Sequence, residues 1–378
     1  MSPELARALD RWRKAELIDE DVAARIRAFE ESRAGAAGRL RWPTALAVAF
    51  GGLLFAAGLL LFVAAHWDGL SPAARVSLIL AMVALFHVAG AFSSPRSNAF
   101  AILFHGLGTV ALGAGIYLFG QTFNLAEHWP TGVLLWAVGA WAGWLLRRDW
   151  VQMTLAALLT PYWLAGEWLV RTESAHRTDR ILMAGLLLLA FTYLSARTSS
   201  QDSPGRRALA WIGGLALFPC TVIAVVSHAF YRWNSTDPRD LSMEILGWVA
   251  AIGLPLAVAI LLRRQAAWMN GVAALWVAVL FAITERGFDT DAWLVYIWCA
   301  LGSAALAAWG VFEGRSERVN LGVAGFALTV LFFYFSALMD KLGRSASLIG
   351  LGLLFLAGGW ALERTRRRLI VRARGERL

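Results

Sequence analysis

The chain reads as an all-α protein: a polytopic transmembrane helical bundle of about twelve spans, preceded by a short amphipathic helical pair. Three observations carry this. Of the 378 residues, 58% are hydrophobic and only 16% are charged, a balance unlike that of a soluble domain. Apolar stretches of about 20 residues, the length needed to cross a hydrocarbon core, recur from Thr44 to Leu362. The charges that remain cluster in the short segments between them. In lipid each stretch must satisfy its own backbone hydrogen bonds, which makes it a helix.

Residues 1–40 form the first unit. Leu5, Leu9 and Trp12 share a helical face, as do Ile18, Val22, Ile26 and Phe29. Asp19 is placed to cap the second helix, with Glu20 and Asp21 in its first turn. Both helices are too polar to span. They read as a cytoplasmic module, either lying on the membrane face or docking a protein partner. The charged, amphipathic start is not a signal peptide.

The bundle occupies 44–362. Its spans are expected at 44–66, 73–92, 98–119, 129–147, 150–170, 179–196, 206–229, 242–262, 267–284, 291–312, 319–338 and 345–362. Those at 150–170 and 267–284 follow their predecessors so closely that each pair must be a tight antiparallel hairpin. Ser71-Pro72 suits the start of the second span, with Pro in the first turn. Pro161, Pro219 and Pro255 interrupt spans, and each frees a carbonyl. Small residues such as Gly113 with Gly115, Gly139 with Gly143, and Gly213-Gly214 let helices approach closely. Trp42, Trp67, Trp129, Trp144, Trp150 and Trp293 sit near span ends, as an aromatic belt requires.

Charge sets the orientation. With an even number of crossings, most of the 35 Lys and Arg fall on one side, including Arg147, Arg148, Arg197, Arg206, Arg263, Arg264, Arg315 and Arg318. Both termini are therefore expected in the cytoplasm. The basic tail, 363–378, would lie against anionic headgroups. The net charge of +9 is explained by this topology, and no nucleic-acid motif accompanies it. The expected partners are the lipid bilayer, a small-molecule or lipid-like solute, and a cytoplasmic protein meeting residues 1–40. A short echo, Leu145-Leu146-Arg147-Arg148 against Leu261-Leu262-Arg263-Arg264, is compatible with duplication of a four-span unit or with chance in such a composition.

Chemistry-bearing groups are sparse. Cys220 and Cys299 fall inside spans as small buried hydrophobes. His87 and His105 also lie in spans and read as hydrogen-bonded packing residues before they read as a proton relay. The polar residues gather at two outer turns, Ala64-Ala65-His66-Trp67-Asp68-Gly69-Leu70-Ser71-Pro72 and Gly120-Gln121-Thr122-Phe123-Asn124-Leu125-Ala126-Glu127-His128-Trp129-Pro130. His66, Trp67, Asp68, Gln121, Asn124, Glu127 and His128, with Thr160 beside Pro161, are the candidate binding residues. The same cluster is open to three readings: a structural tie between hairpins, a binding site at the mouth of a pathway, or a metal site using His66, Asp68, Glu127 and His128. The dispersed spacing assigns no metal or cofactor. No phosphate-binding glycine loop, metalloprotease pair or serine elbow occurs, so no catalytic residue is assigned.

His-Trp-Asp followed by Leu-Ser and Arg75, then a Gly-rich span ending in Phe119-Gly120-Gln121 with an aromatic at 123, resembles the bacterial membrane family called domain of unknown function 2157. The resemblance covers roughly residues 1–170 and includes the amphipathic N-terminus. Where that family often has Asn before Trp-Asp, this chain has His66. Where it often has an aromatic-His pair after Gln, this chain has Phe123-Asn124, which argues against chemistry needing a histidine at 124. The resemblance implies a multi-pass protein of the bacterial inner membrane and supplies no activity.

Overall fold

A computed structural model describes residues 9–13, 15–37, 69–95, 97–123, 128–172, 179–198, 202–231, 241–285 and 288–335, with isolated helical positions elsewhere. The first span, the last span and the basic tail lie outside the described residues apart from such positions. Among the described residues the regular structure is helical, without strands. The chain divides into two compact units, 1–77 and 78–378.

In the first unit, α1 (Glu20–Ala37) begins where the acidic cluster predicts. Asp19 Oδ1 accepts the Val22 N–H at 2.7 Å, capping it. Arg13 holds Glu20 at 2.5 Å across the turn. Ser71 Oγ accepts the Ala74 N–H at the start of α2 (Pro72–Ser93), with Pro72 in its first turn.

The second unit continues with α3 (Asn98–Thr122), α4 (Trp129–Arg147), α5 (Trp150–Arg171), α6 (Asp179–Leu194) and α7 (Pro204–Tyr231). Then come α8 (Leu241–Arg263), a 3-10 turn Arg264–Ala267, α9 (Trp268–Glu285), α10 (Phe288–Phe312) and α11 (Ser316–Phe333). Among the described residues, seven stretches are long and apolar enough to cross a membrane, and one of them, Leu241–Thr284, joins two expected spans through the 3-10 turn. α6 is apolar but shorter. α5 carries Gln152, Thr154, Thr160 and Glu167 and is not among the seven.

Glycines set the helix spacing. A Cβ at Gly113 would collide with Trp136, and one at Gly139 with Leu112, so α3 and α4 interlock as an antiparallel pair. α6 and α7 are closer still: a Cβ at Gly213 would stand 2.2 Å from the Leu194 amide nitrogen. Both predicted hairpins form. Each turns through an arginine in left-handed conformation, Arg148 (φ 53°) and Arg264 (φ 52°). Each then buries an amide completely, Gln152 or Asn270. Their packing differs. Gln152 bonds to α3, whereas Asn270 bonds to Ser195 at the end of α6. In the first hairpin a Cβ at Gly143 would strike Gln152, so the helices touch near the turn. In the second, Trp248 and Phe281 meet at 6.2 Å between ring centroids, far from the turn.

Pro161 cannot donate to the Ala157 carbonyl, and the neighbouring helix repairs the loss. Tyr193 on α6 donates its hydroxyl to that oxygen at 3.0 Å.

The arginines between α6 and α11 are not a loose basic fringe. Glu313 sits between Arg263 and Arg318, whose side chains are 1% and 0% exposed. Trp309 donates to Glu313 at 2.6 Å and underlies both guanidinium groups. Arg263 also reaches the Ser195 carbonyl (2.7 Å) and Arg318 the Arg197 carbonyl (3.1 Å). Buried Asp202 accepts from Arg315 and Arg197, and Arg206 donates to the Leu262 carbonyl. The segments 195–198 with 202–203, 263–267 and 313–315 are thus tied at one end of the bundle, here called the arginine-rich end.

Candidate functional site

Of the residues expected to form a site, His66, Trp67, Asp68, Asn124 and Glu127 lie outside the described residues. Gln121 is exposed on the last turn of α3, and its Nε2 donates to the Tyr117 hydroxyl at 3.0 Å. His128 stands just before α4, with Nε2 at 3.1 Å from both carboxylate oxygens of Glu167 on α5. Glu167 also accepts from Trp163 (3.1 Å) and lies 3.8 Å from Arg171. Thr160 donates to the Ala156 carbonyl at 2.8 Å and accepts from Trp141 at 2.9 Å, bridging α5 to α4. None of these partners is shared, so the three described residues form separate contacts. The His128–Glu167 pair can hold a proton or a cationic edge at the end of the bundle opposite the arginine-rich end. Among the described residues, no group of three or more His, Cys, Asp or Glu is placed to hold a metal ion.

The larger feature is apolar. A cavity of about 140 Å³ lies among α6, α7, α9, α10 and α11. On α11 its lining runs from Leu321 to Phe332 in steps of three or four residues, one helical face about 16 Å long. On α10 it runs from Val295 to Leu306, so the cavity extends from mid-span toward the end opposite the arginines. The space exists because Gly302 admits the Trp276 indole and Gly325 stands against Ser303 and Phe218. Trp276 and Trp298 fix one wall by donating to each other's carbonyls at 3.0 Å.

Two hydroxyls of the wall are spent on their own helices. Thr221 donates to the Leu217 carbonyl and Thr329 to the Gly325 carbonyl, both at 2.8 Å. The cavity therefore offers methyl and aromatic surface with little hydrogen-bonding demand, which suits an acyl chain or a similar apolar group. Val222, Leu328 and Phe332 at its rim are exposed on the described residues, facing what would be lipid. The sequence signal for this wall was present in the i, i+4, i+7 spacing of Leu321, Gly325 and Leu328. In an apolar span the same spacing fits every face.

These features define a class: a multi-pass helical membrane protein with an apolar internal cavity among its described helices. The comparison with protein families agrees. Residues 10–152, from the N-terminal module to the buried Gln152, match the family described as predicted membrane protein (DUF2157), as the two turn motifs suggested. Neither the curated proteins nor the solved structures contain a match to the chain.

Proposed function

We propose that this protein sits in the bacterial inner membrane, threads it about twelve times with both termini in the cytoplasm, and binds a small lipid-like solute that it moves across. The cavity between α7, α10 and α11 is the observation that carries the reading: a solute with an acyl or comparable apolar part fills it without stranding a polar group. The outer-turn residues, His66, Trp67, Asp68, Gln121, Asn124, Glu127, His128 and Thr160, are proposed as polar contacts for the same solute. His128 with Glu167 supplies the ionisable element among them.

The test uses the full chain in lipid nanodiscs and a fatty acid bearing a diazirine on its chain. Photolabelling is expected in peptides covering 295–306 and 321–332, and Thr329→Phe, which fills the cavity, is expected to abolish it. Labelling spread evenly over lipid-facing positions such as Leu246, Val249 and Ile260, and unaffected by Thr329→Phe, overturns the reading.

A second reading, a membrane anchor that recruits a cytoplasmic partner, draws support from the exposed Trp12 and Leu17 of the N-terminal unit. Removing residues 1–38 separates the two. An adaptor loses its partner while photolabelling persists.

A further inference from the structure

α2 and α3 exchange a histidine and a glycine. His87-Val88-Ala89-Gly90 and His105-Gly106-Leu107-Gly108 carry the same His-x-x-Gly spacing, which puts His and Gly on one face of each helix. The helices run antiparallel, so each imidazole rests on the other helix's glycine. A Cβ at Gly90 would stand 2.8 Å from the His105 ring, and one at Gly108 would stand 2.8 Å from the His87 ring. The rings meet with centroids 5.3 Å apart and Nδ1 3.0 Å from Nδ1. Gln152 of α5, fully buried, locks the arrangement by donating to the His105 carbonyl (3.0 Å) and to Thr109 (2.9 Å).

An Nδ1-to-Nδ1 contact needs one N–H and one lone pair. Two neutral rings of opposite tautomer meet this condition. One imidazolium beside one neutral ring also meets it, with the hydrogen between the two nitrogens. Two imidazolium rings do not, because N–H would face N–H. His105 is 9% exposed, and its Nε2 is buried without a hydrogen-bond partner. At the α4–α5 turn, Asp149 Oδ2 and Arg147 Nε are likewise buried without one. The charges of Arg147 and Asp149 both act on His105. Among the described residues they are the charged groups facing the pair. α3 carries no Asp, Glu, Lys or Arg, α2 carries none after Arg75, and α5 presents the neutral Gln152.

We infer that His87 and His105 form a proton-binding site within the bundle, loaded from the arginine-rich end past Asp149: one hydrogen lies between the two Nδ1 atoms throughout, and the single proton taken up goes to Nε2 of the ring that supplies it, leaving one imidazolium beside one neutral ring. Ionisable residues inside a membrane span are costly and rare, pair with one another, and often mark proton relays. The site stands on its own geometry and does not depend on the solute reading.

The test is nitrogen-15 NMR of the full chain in nanodiscs, labelled at its six histidines and titrated from pH 8 to 5. Two histidines are expected to show coupling between their Nδ1 atoms through a shared hydrogen, and together to gain one proton. His87→Gln is expected to abolish the coupling and leave His105 titrating as a single imidazole. If that variant does not fold, the coupling and the proton count of the unmodified chain decide. Two independent one-proton titrations, absence of coupling, or no uptake by either ring overturns the inference.

Discussion

Replacing Glu313 by Gln removes the one carboxylate that faces both Arg263 and Arg318. Those guanidinium groups are 1% and 0% exposed, against 16% for the Glu313 side chain, so water does little to screen the change. Breaking a buried ion pair by deleting one partner costs about 3–5 kcal/mol. Each arginine keeps a backbone carbonyl, Ser195 for Arg263 and Arg197 for Arg318, which places the expected loss at about 3 kcal/mol, or roughly two powers of ten in the folded population. Unfolding of the purified chain by SDS in mixed micelles, followed by helical circular dichroism, measures it. Glu313→Gln with Arg318→Met should recover part of the loss, because the orphaned charge is gone.

Acid acts on the same group. Burial alone would raise the Glu313 carboxyl, but the hydrogen bond from Arg263 and the charge of Arg318 bring it below its ordinary value of 4.5. Its contribution is therefore full above 4.5 and fades as the pH falls through the lower folded-state value. Glu313→Gln should flatten that acid-side decline. A loss under about 1 kcal/mol, the range of an exposed pair, would refute the claim that this lattice is buried and structural.

Two further perturbations probe the helix seams. Gly213→Ala drives a methyl into the α6 backbone, 2.2 Å from the Leu194 nitrogen and 2.4 Å from the Ala190 carbonyl, and is expected to cost at least about 2 kcal/mol in the same unfolding assay. Gly253→Ala, where a Cβ meets nothing within 4 Å, should cost nothing, and equal effects at both sites would contradict the packing. Tyr193→Phe strands the Ala157 carbonyl and should cost about 1–3 kcal/mol, whereas adding Pro161→Ala restores an N–H for that carbonyl and should cancel most of the loss.

Several local features could be read directly. The start of α1 behind Asp19, the start of α2 at Pro72 and the turns at Arg148 and Arg264 follow from residue chemistry acting over three or four positions. The candidate site was less legible. Gln121, His128 and Thr160 stood out because they are polar among apolar neighbours, yet nothing near them in the chain points to Tyr117, Glu167 or Trp141 as particular partners. His87 and His105 looked like two isolated packing residues, and the His-x-x-Gly spacing that brings them together has meaning only once α2 is known to lie against α3. The cavity was hidden for a related reason: an apolar span has no polar face to mark which side turns inward.

The sequence by itself determined the solvent, the helical class and most helix ends, because the length and hydropathy of each span are judged against the thickness of lipid. Only the tertiary structure decided which helix meets which. Lipid is as apolar as the spans, so hydropathy does not direct pairing. The pairing rests on glycine clearance and on a few buried polar contacts, Tyr193 to the Ala157 carbonyl, Asn270 to Ser195 and Glu313 between two arginines. The arginines that read as markers of one membrane face are, around Glu313 and Asp202, internal ties whose burial no count of charges along the chain reveals.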